Sequence, residues 1–286
     1  MIGIFSADTT RLAVSYNGLT LNDPADAADS TYEINAVATR PLYDTIEDPS
    51  PSGDGAEVYD ARKIKLMIAI DGTIRAQSYA DLYDRIKRLM ATFDPAKVSH
   101  ENASTQGFLP LDFSVPTADT TTYPSGLVPS RYYARSASLY VPTDSEYQGL
   151  STFFRLDLEC SDPRRYLQTT SSQTGAGTID NSKADYRSFP TITITAAGAG
   201  SATYAIQNAT AYATKSLTLN LSGLVNTDVV VVDMAAQTIT KNGVATPSLY
   251  VSGSWWAIEP TNSNVITITN PTNMTTVITW RRAFCV

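Results

Sequence analysis

The residues able to do chemistry are few and scattered. His100 is the single histidine and Cys160 and Cys285 are the two cysteines of a 286-residue chain. Ser-His-Asp triads, histidine acid–base relays and zinc sites built on several histidines lack the material. Two cysteines cannot form a disulfide framework or a Cys-rich zinc site, so both are read as free thiols. Carboxylates are plentiful. Asp157 and Glu159 share one face of a strand, the arrangement from which a retaining glycosidase could draw a nucleophile and an acid. Asp44, Glu47, Asp48, Asp54, Glu57 and Asp60 form an acidic run with no Lys or Arg between Arg40 and Arg62. The run lacks EF-hand spacing and reads as a solvated loop or arm. Trp255-Trp256 is the third group. An exposed Trp on a β-sandwich can stack on a sugar or a partner, and strand alternation predicts one ring inside and one outside. Nucleotide loops fail: Gly175-Ala176-Gly177 is followed by Asp180, and Gly198-Ala199-Gly200 by Thr203, where a fingerprint needs glycine. No cofactor, metal or catalytic residue is expected.

The elements that would position these residues are mostly strands. Leu12, Val14 and Tyr16 alternate, Asn17-Gly18 supplies a type I′ turn, and Leu19 and Leu21 follow, which predicts a hairpin. Residues 63–70, KIKLMIAI, place Ile64, Leu66, Ile68 and Ile70 on one strand face, with Asp71-Gly72 as a turn. Ser78 caps a helix with Asp81 as its capping-box partner, and Tyr79, Leu82, Ile86, Leu89, Met90 and Phe93 form the stripe that packs on a sheet. Pro95 stops that helix. Strands resume at Leu109–Phe113 and Arg131–Val141. Phe154, Leu156, Leu158 and Cys160 then alternate with Arg155, Asp157, Glu159 and Ser161, so Cys160 points inward and the carboxylates point to solvent. After the Ser/Thr/Gly stretch 168–178, read as a linker, short strands recur: Thr191–Thr195, Leu217–Leu221, Val229–Asp233, Thr238–Lys241, Ser248–Val251, Ser254–Ile258, Val265–Thr269 and Thr275–Phe284. That density predicts a β-sandwich or jelly roll.

Charge divides the chain at the same place. Residues 1–168 hold 15 Lys/Arg against 23 Asp/Glu, and residues 169–286 hold 6 against 5, within a total of −7. The acidic balance argues against binding nucleic acid or anionic membrane. Val229–Val232 is the longest aliphatic run, far below the roughly 20 residues of a membrane helix, and the start MIGIFSADTTRL has no export signal, so synthesis in the cytoplasm is expected.

The order of the segments resembles the distal tail proteins of bacteriophages with long non-contractile tails. The matching pieces in the first part are RLAVSYNGLTLN, the acidic arm, GDGAEVYDARKIKLMIAIDG, the helix QSYADLYDRIKRLMATF and FFRLDLECSDPRRYLQ. In the second part they are SFPTITI, VVVVDMAAQTITKNG and TTVITWRRAFCV. The resemblance implies a mainly β chain: a tail-tube-like β-fold with one flanking α-helix in a ring-forming domain, 1–168, and a peripheral galectin-like β-sandwich, 169–286. It implies a structural virion protein rather than an enzyme. Six copies would form a ring at the virion tail tip, linking the tail tube protein to the tail-tip hub protein around a central passage for DNA. Receptor-binding proteins or side fibres would dock outside. It gives the acidic arm, with Asp44, Glu47, Asp48, Asp54 and Glu57, a role in reaching a neighbouring subunit or ring. It leaves Trp255 and Trp256 as a sugar or partner contact. A negative wall would repel DNA, and the net −8 of residues 1–168 suits it. Residue chemistry keeps two alternatives open: a carbohydrate-binding or adhesin module resting on the sandwich and the Trp pair, and a glycosidase using carboxylates of the first part.

Overall fold

The computed structural model describes residues 13–23, 31–49, 56–102, 105–142 and 150–284. The chain divides into two compact units, with the break between Arg165 and Tyr166.

The first unit is one antiparallel sheet with two helices. Its strands are β1 (Val14–Tyr16), β2 (Leu19–Leu21), β3 (Tyr32–Pro49), β4 (Ala56–Arg75), β5 (Leu109–Pro116), β6 (Leu127–Tyr140) and β7 (Ser151–Cys160). They lie side by side in the order β2-β1-β5-β6-β7-β4-β3. The β1–β2 turn has positive φ at both Asn17 (47°) and Gly18 (77°), the backbone a type I′ turn requires. Helix α1 (Tyr79–Phe93) starts where Ser78 accepts from the Asp81 amide, while Asp81 accepts from the Gln77 amide. Its Leu82, Ile86, Leu89 and Phe93 pack on Leu66, Ile68, Ile70, Leu156, Leu158 and Cys160 in a single core. Tyr16 stacks on Phe93 with centroids 5.1 Å apart, and the Ser136 hydroxyl donates to the Phe93 carbonyl, so the sheet holds the end of the helix. Pro95 ends α1 and opens α2 (Pro95–Glu101), whose cap, Asp94, accepts from the amides of Ala96 and Lys97.

Three expectations for this unit need correction. Tyr79 and Met90 do not face the core: they are 69% and 46% exposed, on a flank beside the buried stripe. Asp71-Gly72 is not a turn, because β4 runs through it. Gly72 is there because a Cβ at that position would come within 2.3 Å of the Phe154 ring. Ile64 is exposed, unlike Leu66, because β4 meets β7 only from Leu66 onward.

The second unit is a sandwich of two antiparallel sheets. Strand β8 (Arg165–Leu167) spans the break. Then follow β9 (Ser171–Thr174), β10 (Gly177–Ile179), β11 (Thr191–Ala196), β12 (Tyr204–Ala209), β13 (Thr214–Leu219), β14 (Val229–Asp233), β15 (Thr238–Lys241), β16 (Val244–Ala245), β17 (Tyr250–Gly253), β18 (Asn264–Thr269), β19 (Met274–Trp280) and β20 (Ala283–Phe284). Among the described residues one sheet runs β10-β18-β12-β13-β17 and the other β16-β15-β14-β11-β19-β9. Ile192, Ile194, Ile206, Leu217, Val230, Val232, Trp256 and Ile278 fill the space between them. The stretch read as a linker supplies β9 and β10, one edge strand for each sheet, joined at Gly175 (φ 70°). Ser254–Ile258 belongs to no strand among the described residues; Ile258 makes an isolated bridge with Ser188, and the Ser254 amide donates to the Ser216 carbonyl.

Candidate functional site

The carboxylates that could have served acid–base work are held in ion pairs. On the sheet face turned away from α1, Glu159 accepts from Lys65 at 2.6 Å and from Arg135 at 2.9 Å. Those two hydrogen bonds hold its carboxyl below the ordinary range, whereas a glycosidase acid needs the opposite shift. Asp157 accepts from Ser138 at 2.7 Å and lies 3.8 Å from Arg155. On the same face Asp112 takes Arg131 in a two-pronged pair at 2.5 and 2.7 Å, and Glu33 pairs with Arg75 at 2.6 Å. Asp71 stands 3.9 Å from Arg155. The solvated face expected from alternation is therefore a lattice of mutually neutralised charge.

Cys160 is fully buried as a small apolar residue, and burial pushes its thiol up, away from reactivity. Cys285 lies outside the described residues. His100 sits exposed on the last turn of α2. Among the described residues no group of three or more His, Cys, Asp or Glu is placed to hold a metal.

The acidic arm is a paired β-ribbon rather than a loop between strands. Strands β3 and β4 stay in antiparallel register out to Pro49 opposite Ala56. The third strand, β7, joins only from Leu66, so among the described residues the part of the hairpin from Leu42 and Lys65 outward is two-stranded. Asp44, Glu47 and Asp48 belong to β3 and Glu57 to β4, and Asp54 lies outside the described residues. The pairing continues past Pro41, with register shifts between Leu42 and Tyr43 and between Ile46 and Glu47. Pro41 and Pro49 fit because β3 is the sheet's edge strand, where a missing N–H can face outward.

The tryptophans separate. Trp256 is 1% exposed in the sandwich core, which removes it from any surface contact. Trp255 is half-buried and its ring lies 10° from parallel to that of Tyr250, with centroids 6.1 Å apart. Sequence reading missed Tyr250. Its signal was a Tyr five residues before a Trp in a stretch without charge.

The two units, a sheet with helices followed by a sandwich, match a known architecture along nearly the whole chain. The structure aligns with the SPP1 Dit (gp 19.1) protein, a hub of the adsorption apparatus in phages infecting Gram-positive hosts, over 96% of this chain and 99% of that one, with a TM-score of 0.64 and 17% identity. The chain has the fold of SPP1 Dit. A chain of the phage p2 baseplate in its activated conformation aligns over 94% of this chain and 97% of its own, with a TM-score of 0.51 and 7% identity. Within that fold, residues 183–284 also match in sequence the family model of siphovirus-type tail components, C-terminal domain. No curated protein matches the sequence.

Proposed function

We propose that this chain is a structural protein of a siphophage-type tail, working as the distal tail ring. The observation that carries this reading is the distal tail fold over nearly the whole chain, together with the sequence match over residues 183–284. The pairing of every carboxylate named above on the sheet face supports a structural role rather than catalysis.

In this reading residues 1–168 build a ring of six copies at the virion tail tip. The ring joins the tail tube protein to the tail-tip hub protein and leaves a central passage for DNA. The sandwich of residues 169–286 lies outside, open to receptor-binding proteins or side fibres. The protein is made in the host cytoplasm, binds no nucleic acid stably and enters no membrane. The β3–β4 ribbon is the arm between neighbouring subunits or rings. Between Leu42 and Lys65 its two strands pair only with each other among the described residues, and an open ribbon edge favours pairing with another chain.

The test is the state of the purified full-length protein. Negative-stain images should show a ring with a central hole, and light scattering should give a multiple of the 30.9 kDa chain mass. Monomer at every concentration, alone and with the tail tube protein, overturns the reading.

A further inference from the structure

Two neighbouring segments of the second unit meet around an exposed aromatic pair. Neither Asn242–Ile258 nor Ser216–Thr227 contains a charged residue. The two segments are neighbours: Thr218 pairs with Ser252 and Leu219 with Tyr250. The Asn220 amide donates to the Leu249 carbonyl at 2.8 Å, and the Ser254 amide to the Ser216 carbonyl at 2.8 Å. On this patch stands the Tyr250–Trp255 pair, with Tyr250 39% and Val251 50% exposed. The Tyr250 hydroxyl donates to the Gly253 carbonyl at 3.0 Å, which fixes the ring. Gly253 has φ 118°, and a Cβ there would fall 2.1 Å from the Ser216 carbonyl oxygen, so the bend that brings the two rings together requires glycine. The same two segments carry the exposed residues Asn220, Ser222, Ser252 and Ser254, and the Ser222 hydroxyl donates to the Asn220 side-chain carbonyl at 2.7 Å.

We propose that this patch binds a neutral glycan, with a pyranose ring laid against Tyr250 and Trp255. The C–H face of a sugar packs on an aromatic face, and its hydroxyls exchange hydrogen bonds with uncharged serine and asparagine groups. Neutral surroundings suit a neutral ligand because no ion has to be stripped of water on contact. A charged glycan or an acidic protein would call for Lys or Arg, which these segments lack. The inference goes beyond the ring reading and is independent of it, since glycan binding and oligomer mass are separate measurements.

The experiment titrates full-length protein with maltotetraose, cellotetraose, chitotetraose and galactotetraose, followed by tryptophan fluorescence and calorimetry. Saturable binding to at least one is expected. Tyr250→Ala and Trp255→Ala should each weaken it by about tenfold or more, the loss of one stacked ring. Tyr250→Phe keeps the ring and should stay within about twofold, since the hydroxyl serves an internal bond. Tyr212→Ala, at a residue 81% exposed elsewhere on the unit, should change nothing. Trp255 also packs on the core, so Tyr250→Ala carries the test if Trp255→Ala does not fold. No saturable binding to any of the four overturns the proposal. So does binding that survives Tyr250→Ala, or a Tyr250→Ala variant that loses only a tail-protein partner.

Discussion

Ile86 and Tyr83 sit three residues apart on α1, and the same charge should be severe at the first and nearly neutral at the second. Ile86 is 4% exposed against the sheet, and Tyr83 is 58% exposed. Ile86→Asp removes one buried aliphatic side chain, about 2 kcal/mol, and leaves an unpaired carboxylate in the core, about 3 kcal/mol more. A total of about 5 kcal/mol equals the lower end of ordinary domain stability, so the first unit should unfold or melt far earlier. Tyr83→Asp loses the cation–π contact in which Lys87 Nζ stands 4.5 Å from the ring centroid. It gains an i,i+4 Asp–Lys pair, for a net change within about 0.5 kcal/mol. The chain provides separate probes. Trp255, Trp256 and Trp280 all lie in the second unit, and both helices lie in the first. Urea titrations followed by helical circular dichroism and by tryptophan fluorescence therefore report the two units. Ile86→Asp should move the helical transition and leave the fluorescence transition in place. Unchanged helical melting in Ile86→Asp, or an equal loss in Tyr83→Asp, would refute the assignment of the buried stripe.

Acid should weaken the second unit through Asp228. A hydrogen bond from Lys241 at 2.8 Å, one from the Val225 amide and one from Asn242 hold its carboxyl down at about 2, from 3.8. A depressed folded value gives stability that is full above pH 3.8 and lost as pH falls toward 2. Asp228→Asn should flatten that fall in the fluorescence-monitored melt, and an unchanged acid limb counts against the clamp. Gly72→Ala should destabilise the first unit by about 1–3 kcal/mol, because its Cβ overlaps the Phe154 ring and the Glu33 carbonyl; wild-type denaturation would mean that the strands have room there. Replacing residues 44–58 by a Gly-Ser turn should leave both melting transitions within about 0.5 kcal/mol. It should also weaken ring stability or attachment to the tail tube, and rings and infectious tails equal to the parent's would reduce the ribbon to a solvated hairpin.

Legibility in the sequence followed local physics. The type I′ hairpin, the α1 core positions Leu82, Ile86, Leu89 and Phe93, and the alternation of β7 were readable because period and turn chemistry agree there. The failures were places where a distant partner decides. Gly72 looks like a turn residue until Phe154 lies across it. Residues 168–178 look like a linker because threonine, serine and glycine suit an edge strand as well as a loop. Strand β12 was missed because its alternation ends in Asn208, a buried side chain that donates to the Ala257 carbonyl at 3.0 Å. Trp256 lies in the core and Trp255 is partly buried against that same core, in a segment that forms no ladder. Trp256 is inside because Ala257 and Ile258 follow it into the core.

The charge of the first unit takes on a different meaning once it is placed. A net −8 spread over a wall would repel DNA from that wall. The described sheet face instead pairs Glu33, Asp71, Asp112, Asp157 and Glu159 with Arg75, Arg155, Arg131, Lys65 and Arg135. These ten charges cancel. The acidic run Asp44, Glu47, Asp48, Asp54, Glu57 and Asp60, with no cation inside it, supplies −6 of the −8. Repulsion of phosphate, if this unit provides it, therefore has its main source on the β3–β4 ribbon. In the proposed ring the same charge would concentrate repulsion between ribbons of neighbouring copies, screened over about 8 Å at physiological ionic strength. Substituting Asn or Gln at Asp44, Glu47, Asp48 and Glu57 should then make ring assembly less sensitive to salt, measured as oligomer mass from low to high ionic strength. A salt response identical to that of the parent would place the relevant charge on another part of the unit.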